Sequence, residues 1–153
     1  MSRLNSINLT GISIRILEKV CKTKPLSDKM NTLRALPEGT VGRSIADMLD
    51  RHGYRLIPRF QNHDLKHIVL GYEMIKTDEI LMQAYLVGNG NYTIPCMLFL
   101  MNAVFYPSIW PQLIPHYRMG RSANSILHIT LEGCMYRDLA GVIQQYGRNS
   151  RPS

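Results

Sequence analysis

Residues 63–79 constrain this chain more than any other stretch, because they carry four ligand-type side chains that one helix cannot bring together. His63, Asp64 and His67 stand in the run His-Asp-Leu-Lys-His, and Glu79 follows after eleven intervening residues. A helical step of about 100° per residue places His63, Asp64 and His67 within one arc of about 100°, the two histidines a turn apart. Glu79 lies twelve positions further on; at roughly 1.5 Å per residue a continuous helix would carry it about 18 Å away. The stretch therefore predicts a reversal and two antiparallel helices. Lys76-Thr77-Asp78 offers the turn, with Thr77 as N-cap, and Ile80, Leu81, Ala84 and Tyr85 restart helical spacing after it. Two imidazoles and two carboxylates suit zinc, iron, manganese or cobalt better than calcium, and no thiolate is needed. An exposed polar helix face explains His-Asp-x-x-His equally well when that motif is taken alone. The placed Glu79 favours a metal site held by His63, Asp64, His67 and Glu79.

This spacing resembles the signature of the coenzyme Q (ubiquinone) biosynthesis protein 4 family. A second block agrees: Leu36-Pro37-Glu38-Gly39-Thr40-Val41-Gly42-Arg43, then Ala46-Asp47 and Leu49, is similar to the stretch that precedes the metal motif in that family. Gly71, Gln83-Ala84 and Gly90-Asn91 also fit its pattern, with weaker echoes at Tyr106-Pro107, Gly120 and Leu131-Glu132. The chain departs from the pattern at Asp78, where the family has Gly, and at Gln61-Asn62, where it commonly has Arg-Glu. The resemblance implies a zinc site and removal of the C1 ring carboxyl from a polyprenyl-hydroxybenzoate, with hydroxylation of that carbon. It also implies association with other quinone-biosynthesis proteins at a membrane, and makes a homodimer plausible.

A length of 153 residues with 45% hydrophobic content fits one globular domain, expected over residues 1–147 with a disordered tail over 148–153. Cys21, Cys96 and Cys134 show neither CxxC nor CxxH spacing, so neither a disulfide framework nor a thiolate zinc site is indicated. A reducing cytoplasmic setting fits, and the N-terminus lacks the continuous apolar core of a signal peptide. The net charge is +7, and residues 1–34 hold seven basic and two acidic side chains, a local excess of five. The basic residues are dispersed, without a nucleic-acid-binding motif, which argues against nucleic acid. An anionic membrane surface is the better partner, at about 1 kcal/mol per Lys or Arg near the lipid; an ordinary solvated basic face is commoner than either.

Residues 11–21 predict a short helix with Ile12, Ile16, Leu17 and Val20 on one stripe, and Ser27 is placed to cap a second through Arg34. Thr40 is placed as N-cap of a helix over residues 41–52, with Val41, Ile45, Met48 and Leu49 inward and Gly53 as its stop. Gly42 inside that helix suggests close packing against a neighbour or ligand. Arg43 is a candidate anion partner, although a surface ion pair is the commoner fate of such an arginine. Leu65, Ile68, Val69 and Tyr72 give the motif helix its apolar stripe.

Residues 80–117 hold no charged side chain, counting His116 as neutral. Residues 94–106 are mostly apolar but too short to span a bilayer, and read first as a core helix. The sharper reading is a tunnel for an isoprenoid tail, with Met97, Met101 and Phe105 as adaptable walls. Residues 108–116 suit either an interfacial helix anchored by Trp110 or a proline-interrupted loop. Helices are expected over residues 122–133 and 135–146. The whole predicts an all-α, single-domain bundle of about six to eight helices.

Three functions compete. The first is a metal-dependent step in which Glu79 moves a proton and His67 holds the ion; the second is a prenyl-lipid-binding or scaffold protein that does no chemistry. The third, a metallohydrolase, lacks support: His52, His116 and His128 show no paired spacing, and Asp64 stands where a zinc peptidase needs glutamate.

Overall fold

The computed structural model describes residues 26–149. The helix expected over residues 11–21 and the end of the tail, residues 150–153, lie outside the described residues. Among the described residues the protein is all-α: α1 (Ser27–Arg34), α2 (Val41–His52), α3 (Gln61–Leu70), α4 (Lys76–Gly88), α5 (Ile94–Met101), α6 (Trp110–Ser122), α7 (Leu131–Cys134) and α8 (Leu139–Tyr146). Two 3₁₀ turns, Asn102–Phe105 and Pro107–Ile109, link α5 to α6.

The helices form two groups that share one core. In the first, α2 packs on α1, α3 and α7, while α8 closes over α3. Thr40 starts α2 as expected, its hydroxyl accepting from the Arg43 N–H at 3.3 Å, and Val41, Ile45, Met48 and Leu49 all turn inward. Gly42 is where α1, α2 and the 135–138 turn meet: a Cβ there would lie 2.5 Å from Leu36 and 3.0 Å from the Met135 carbonyl, which already accepts the Gly42 N–H. The close packing inferred from sequence is thus against protein. Asp138 caps α8 by accepting the Gly141 N–H at 2.8 Å, and Thr130 caps α7.

In the second group α4 lies against α6 and α5. The α4–α6 crossing is close because Gly88 and Gly120 face each other's backbones: a Cβ on Gly88 would sit 2.0 Å from the Tyr117 carbonyl oxygen, and one on Gly120 1.9 Å from that of Tyr85. Asn89 ties the end of α4 to the segment after α6, donating to the Gly120 carbonyl at 2.8 Å and accepting the Ile126 N–H at 2.9 Å.

Several expectations need correcting. The long late helix is α6, which runs through Pro115 to Ser122, so residues 123–130 are irregular and no helix spans 122–133. Pro115 is the sixth residue of α6, so its missing N–H removes the bond that would reach the Pro111 carbonyl, and the helix continues despite that loss. Residues 94–106 are not a core helix: α5 buries only Cys96, and its apolar composition on every side leaves Ile94, Leu98 and Met101 facing outward. Ile143, expected inward, is 40% exposed beside the buried Val142. Arg148, expected to begin a tail, packs on the fold; its guanidinium lies 4.7 Å from the Tyr72 ring centre and donates to the Gly71 carbonyl at 3.2 Å.

Candidate metal centre

The centre forms where the two helix groups meet, with two ligand-type residues from α3 and one from α4. The predicted reversal is real, but earlier and tighter than expected. Gly71 ends α3 in the left-handed region at φ 65°, which a residue without Cβ adopts freely. The loop then runs through Ile75, and α4 begins at Lys76 with no side-chain cap, so Thr77 is not its N-cap. Asp78 instead turns back to the loop, its Oδ2 accepting the Glu73 N–H at 3.0 Å. The departure from glycine at this position therefore braces the reversal. α3 and α4 pack chiefly on other helices and come together through their side chains, so they are not the tightly packed antiparallel pair that the spacing suggests.

The start of α3 is held by the two other departures from the family pattern. The Gln61 side chain accepts from Lys29 Nζ at 2.5 Å, and Lys29 also pairs with Glu132. Asn62 Oδ1 accepts the Leu131 N–H at 3.0 Å, joining α3 to the first turn of α7. Leu65 and Val69, both buried, fix the rotation of the helix, so His63 and His67 face α4.

His63, His67 and Glu79 each bring one ligand atom to a common point, all within 4.8 Å of one another. His63 Nε2 lies 3.0 Å from Glu79 Oε1, and His67 Nε2 3.0 Å from Glu79 Oε2. Asp64 is not part of this trio. It is buried, and its carboxylate faces the other nitrogen of His63, with Oδ1 3.9 Å from Nδ1. At that distance it is a charge neighbour of His63 and not a hydrogen-bond partner.

The protons at His67 carry the argument for an ion. Nδ1 lies 3.0 Å from the Tyr72 carbonyl oxygen, which can only accept, so the Nδ1 proton is committed there. A neutral His67 then turns the lone pair of Nε2 toward a carboxylate oxygen, one acceptor facing another. Only a cation between them, a proton or a metal ion, makes this arrangement favourable. Orientation of a ligating imidazole by a backbone carbonyl at its second nitrogen is what metal-binding histidines show. The donor set of two imidazoles and one carboxylate fits zinc or another divalent transition metal and leaves a coordination position open.

Electrostatics agree with a site built to hold positive charge. Burial pulls the His63 imidazolium down, but the carboxylates of Asp64 and Glu79 outweigh it and raise its pKa to about 9. Burial pushes Glu79 upward, yet the hydrogen bonds from His63 and His67 dominate and hold it well below the usual carboxylate range. Gln83, one turn along α4, is 2% exposed and donates to Glu79 Oε1 at 2.5 Å. Spacing four residues after Glu79 could have found it, since helical residues four apart are neighbours. The Tyr72 carbonyl had no such signal.

Behind the centre lies a second polar group. The buried Tyr72 hydroxyl is hydrogen-bonded to His116 Nδ1 at 2.5 Å, and burial, then the Arg148 charge, pushes the His116 pKa down. Of the residues expected to meet substrate, Arg43 bonds Asp47 at 2.9 Å and the Arg34 carbonyl at 3.1 Å, the ordinary surface pairing. Met97, Met101 and Phe105 are 40%, 67% and 63% exposed. Phe99 is the α5 side chain that reaches the centre, its ring centre 6.5 Å from that of His63.

The fold has a solved counterpart. A protein of Nostoc punctiforme, provisionally named a ubiquinone biosynthesis protein, superposes with a TM-score of 0.59 at 20% identity, over 94% of this chain and 83% of that one. No protein-family profile matches the sequence, and no curated protein matches it.

Proposed function

We propose that this chain is a metal-dependent protein of quinone biosynthesis that acts on a prenylated hydroxybenzoate. The observation that carries the metal is the convergence of His63, His67 and Glu79 with the Nδ1 of His67 already committed to a carbonyl. The pathway is supported by the motif resemblance and by the fold shared with the Nostoc protein, whose provisional name is a ubiquinone biosynthesis protein.

On this reading His63, His67 and Glu79 would hold the ion, which would supply Lewis-acid polarisation of a bound carboxylate or phenolate. The Tyr72 carbonyl fixes the ring of His67, and the Asp64 carboxylate adds negative charge beside His63. Glu79, held ionised by its neighbours, would be the anionic ligand, and it is the carboxylate placed to hold or move a proton at the centre. The reaction implied by the resemblance is loss of the C1 carboxyl as carbon dioxide with hydroxylation of that carbon. The added oxygen needs an external oxidant such as dioxygen, which the side chains do not provide.

The α5 arm is where an isoprenoid tail would lie. Phe99 lies beside His63, its ring centre 6.5 Å away, while Met97 and Met101 toward the opposite side of α5, with Val104 and Phe105 beyond its end, are exposed apolar side chains available to a tail. With Trp110 and Ile114 on α6, this face suits a bilayer surface, and it supports peripheral membrane association from the cytoplasmic side. Among the described residues no single helix is long and apolar enough to cross a membrane; residues 94–105 and 107–122 form a pair bent by 105°. The indole N–H of Trp110 donates to the Ala103 carbonyl at 2.7 Å, so its ring is held in place at that bend. Other quinone-biosynthesis proteins, or a second copy of the chain, are further partners for this face.

The alternative is a prenyl-lipid-binding or scaffold role in which the same ion clamps an anionic head and no bond breaks. The exposed apolar side chains favour it as much as catalysis. Turnover of a polyprenyl-hydroxybenzoate by the wild type, lost in a folded His67→Ala variant, supports the enzyme. Full turnover in that variant contradicts it, and copurified prenyl lipid without turnover supports the binding role.

A further inference from the structure

The two oxygens of Glu79 are not equivalent. Oε2 faces His67 Nε2 at 3.0 Å, whereas Oε1 receives both His63 Nε2 at 3.0 Å and the carboxamide of Gln83 at 2.5 Å. An entering ion displaces imidazole protons, because the nitrogens that carry them become its ligands. It does not displace the Gln83 N–H, since a carboxamide nitrogen has no lone pair to offer at neutral pH. The Gln83 bond to Oε1 is therefore compatible with an ion held by the trio. The position of Gln83 is fixed from both sides: it is 2% exposed, and Cys96 of α5 lies against its backbone carbonyl, Sγ 3.8 Å from the oxygen.

We propose that Gln83 is a positioning residue of the metal centre, whose hydrogen bond to Oε1 sets the orientation in which the Glu79 carboxylate, with His63 and His67, would hold an ion. The inference rests on reading the trio as a metal centre. A charge-assisted hydrogen bond of this kind fixes the carboxylate plane.

The test uses the full chain, stripped with a chelator and reloaded with Zn²⁺ or Co²⁺. Gln83→Met keeps the length and helix preference of the side chain but removes the donor; Gln83→Glu keeps its shape and sets a second carboxylate against Oε1. In Gln83→Met, Zn²⁺ affinity measured against a chromophoric chelator is expected to fall roughly 10- to 100-fold, the usual effect of losing a partner of a metal ligand. The visible absorption of the Co²⁺ form is expected to change as the Glu79 carboxylate loses its fixed orientation, a signature that mere loss of stability does not produce. Gln83→Glu is expected to alter the same band and serves if Gln83→Met does not fold. Affinity and Co²⁺ spectrum both matching wild type in a folded variant overturn the role of Gln83 while leaving the centre standing. Failure of the wild type itself to bind either ion, in the same way as a His63→Ala, His67→Ala variant, overturns both.

Discussion

The corner between α3 and α4 buries polar side chains and gives them partners; the neighbouring arm from α5 to α6 exposes apolar side chains. At the corner His67 and Gln83 are each 2% exposed, and both bond Glu79. On the arm Ile94, Met101, Val104 and Phe105 are each more than 60% exposed. Buried charge persists only when it is paired, so the corner is finished as it stands, apart from the cation its acceptors call for. Exposed apolar side chains gathered on one arm mark a surface that another phase or molecule can cover. The two regions adjoin at α5, where the Phe99 ring centre lies 6.5 Å from that of His63.

Both regions hang on the α4–α6 crossing, so the largest effect is expected there. Gly120→Ala drives a methyl to 1.9 Å from the Tyr85 carbonyl, and backbone on both sides has to move. Loss of more than about 3 kcal/mol in urea unfolding is expected, beyond ordinary overpacking. A loss below about 1 kcal/mol means that the helices separate easily and the two regions are not rigidly joined.

The corner is then sharpened by pH. The His63 pKa is raised from 6.5 to about 9, so its contribution to the stability of the metal-free protein is complete below 6.5 and vanishes as pH rises through about 9. Glu79, shifted downward, contributes above its ordinary 4.5 and loses that contribution only on acidification. Denaturation of the chelator-treated protein should therefore show stability falling as pH rises from about 6.5 through about 9, and His63→Ala should flatten that slope. Metal binding runs the other way, because the ion competes with these protons and its affinity rises with pH.

The arm should behave as a surface. A Met101→Ser, Phe105→Ser double variant is expected to change unfolding free energy by less than about 0.5 kcal/mol, as exposed sites do. The same variant should lose several-fold of its retention on anionic lipid vesicles in a flotation assay. A loss of about 2–5 kcal/mol, the range for core truncations, would place these side chains in the interior and end the contrast.

The smallest effect is expected at Tyr85, whose buried hydroxyl has no hydrogen-bond partner among the described residues. Tyr85→Phe removes an unsatisfied group and should leave stability unchanged or raise it by about 1 kcal/mol, read as the thermal midpoint. Marked destabilisation would show that the hydroxyl is bonded after all.

The parts of this molecule that were legible in its sequence are those governed by neighbours a few residues away. Thr40 as a cap, Gly53 as a stop, the inward stripe of α2 and the meeting of His63, His67 and Glu79 come from helical period and turn chemistry. Asp64 shares their helix and sequence motif, yet it faces the other nitrogen of His63, because a 100° step is enough to carry a short side chain off the line of convergence. The features that escaped were set by distant partners. The exposure of α5 depends on its having α4 on one side only, and the contact at Gly88 and Gly120 on two helices far apart in the chain. Gly71 could have been read as the end of the motif helix; the Tyr72 carbonyl beside His67 could not.

The central claim is the ion, and its most direct test is the metal content of the purified chain by elemental mass spectrometry, measured beside a folded His63→Ala, His67→Ala variant. Close to one equivalent of zinc or another divalent transition metal, absent from the variant, is the expected result. Wild type and variant equally free of metal after loading with Zn²⁺, or equally loaded, would contradict it.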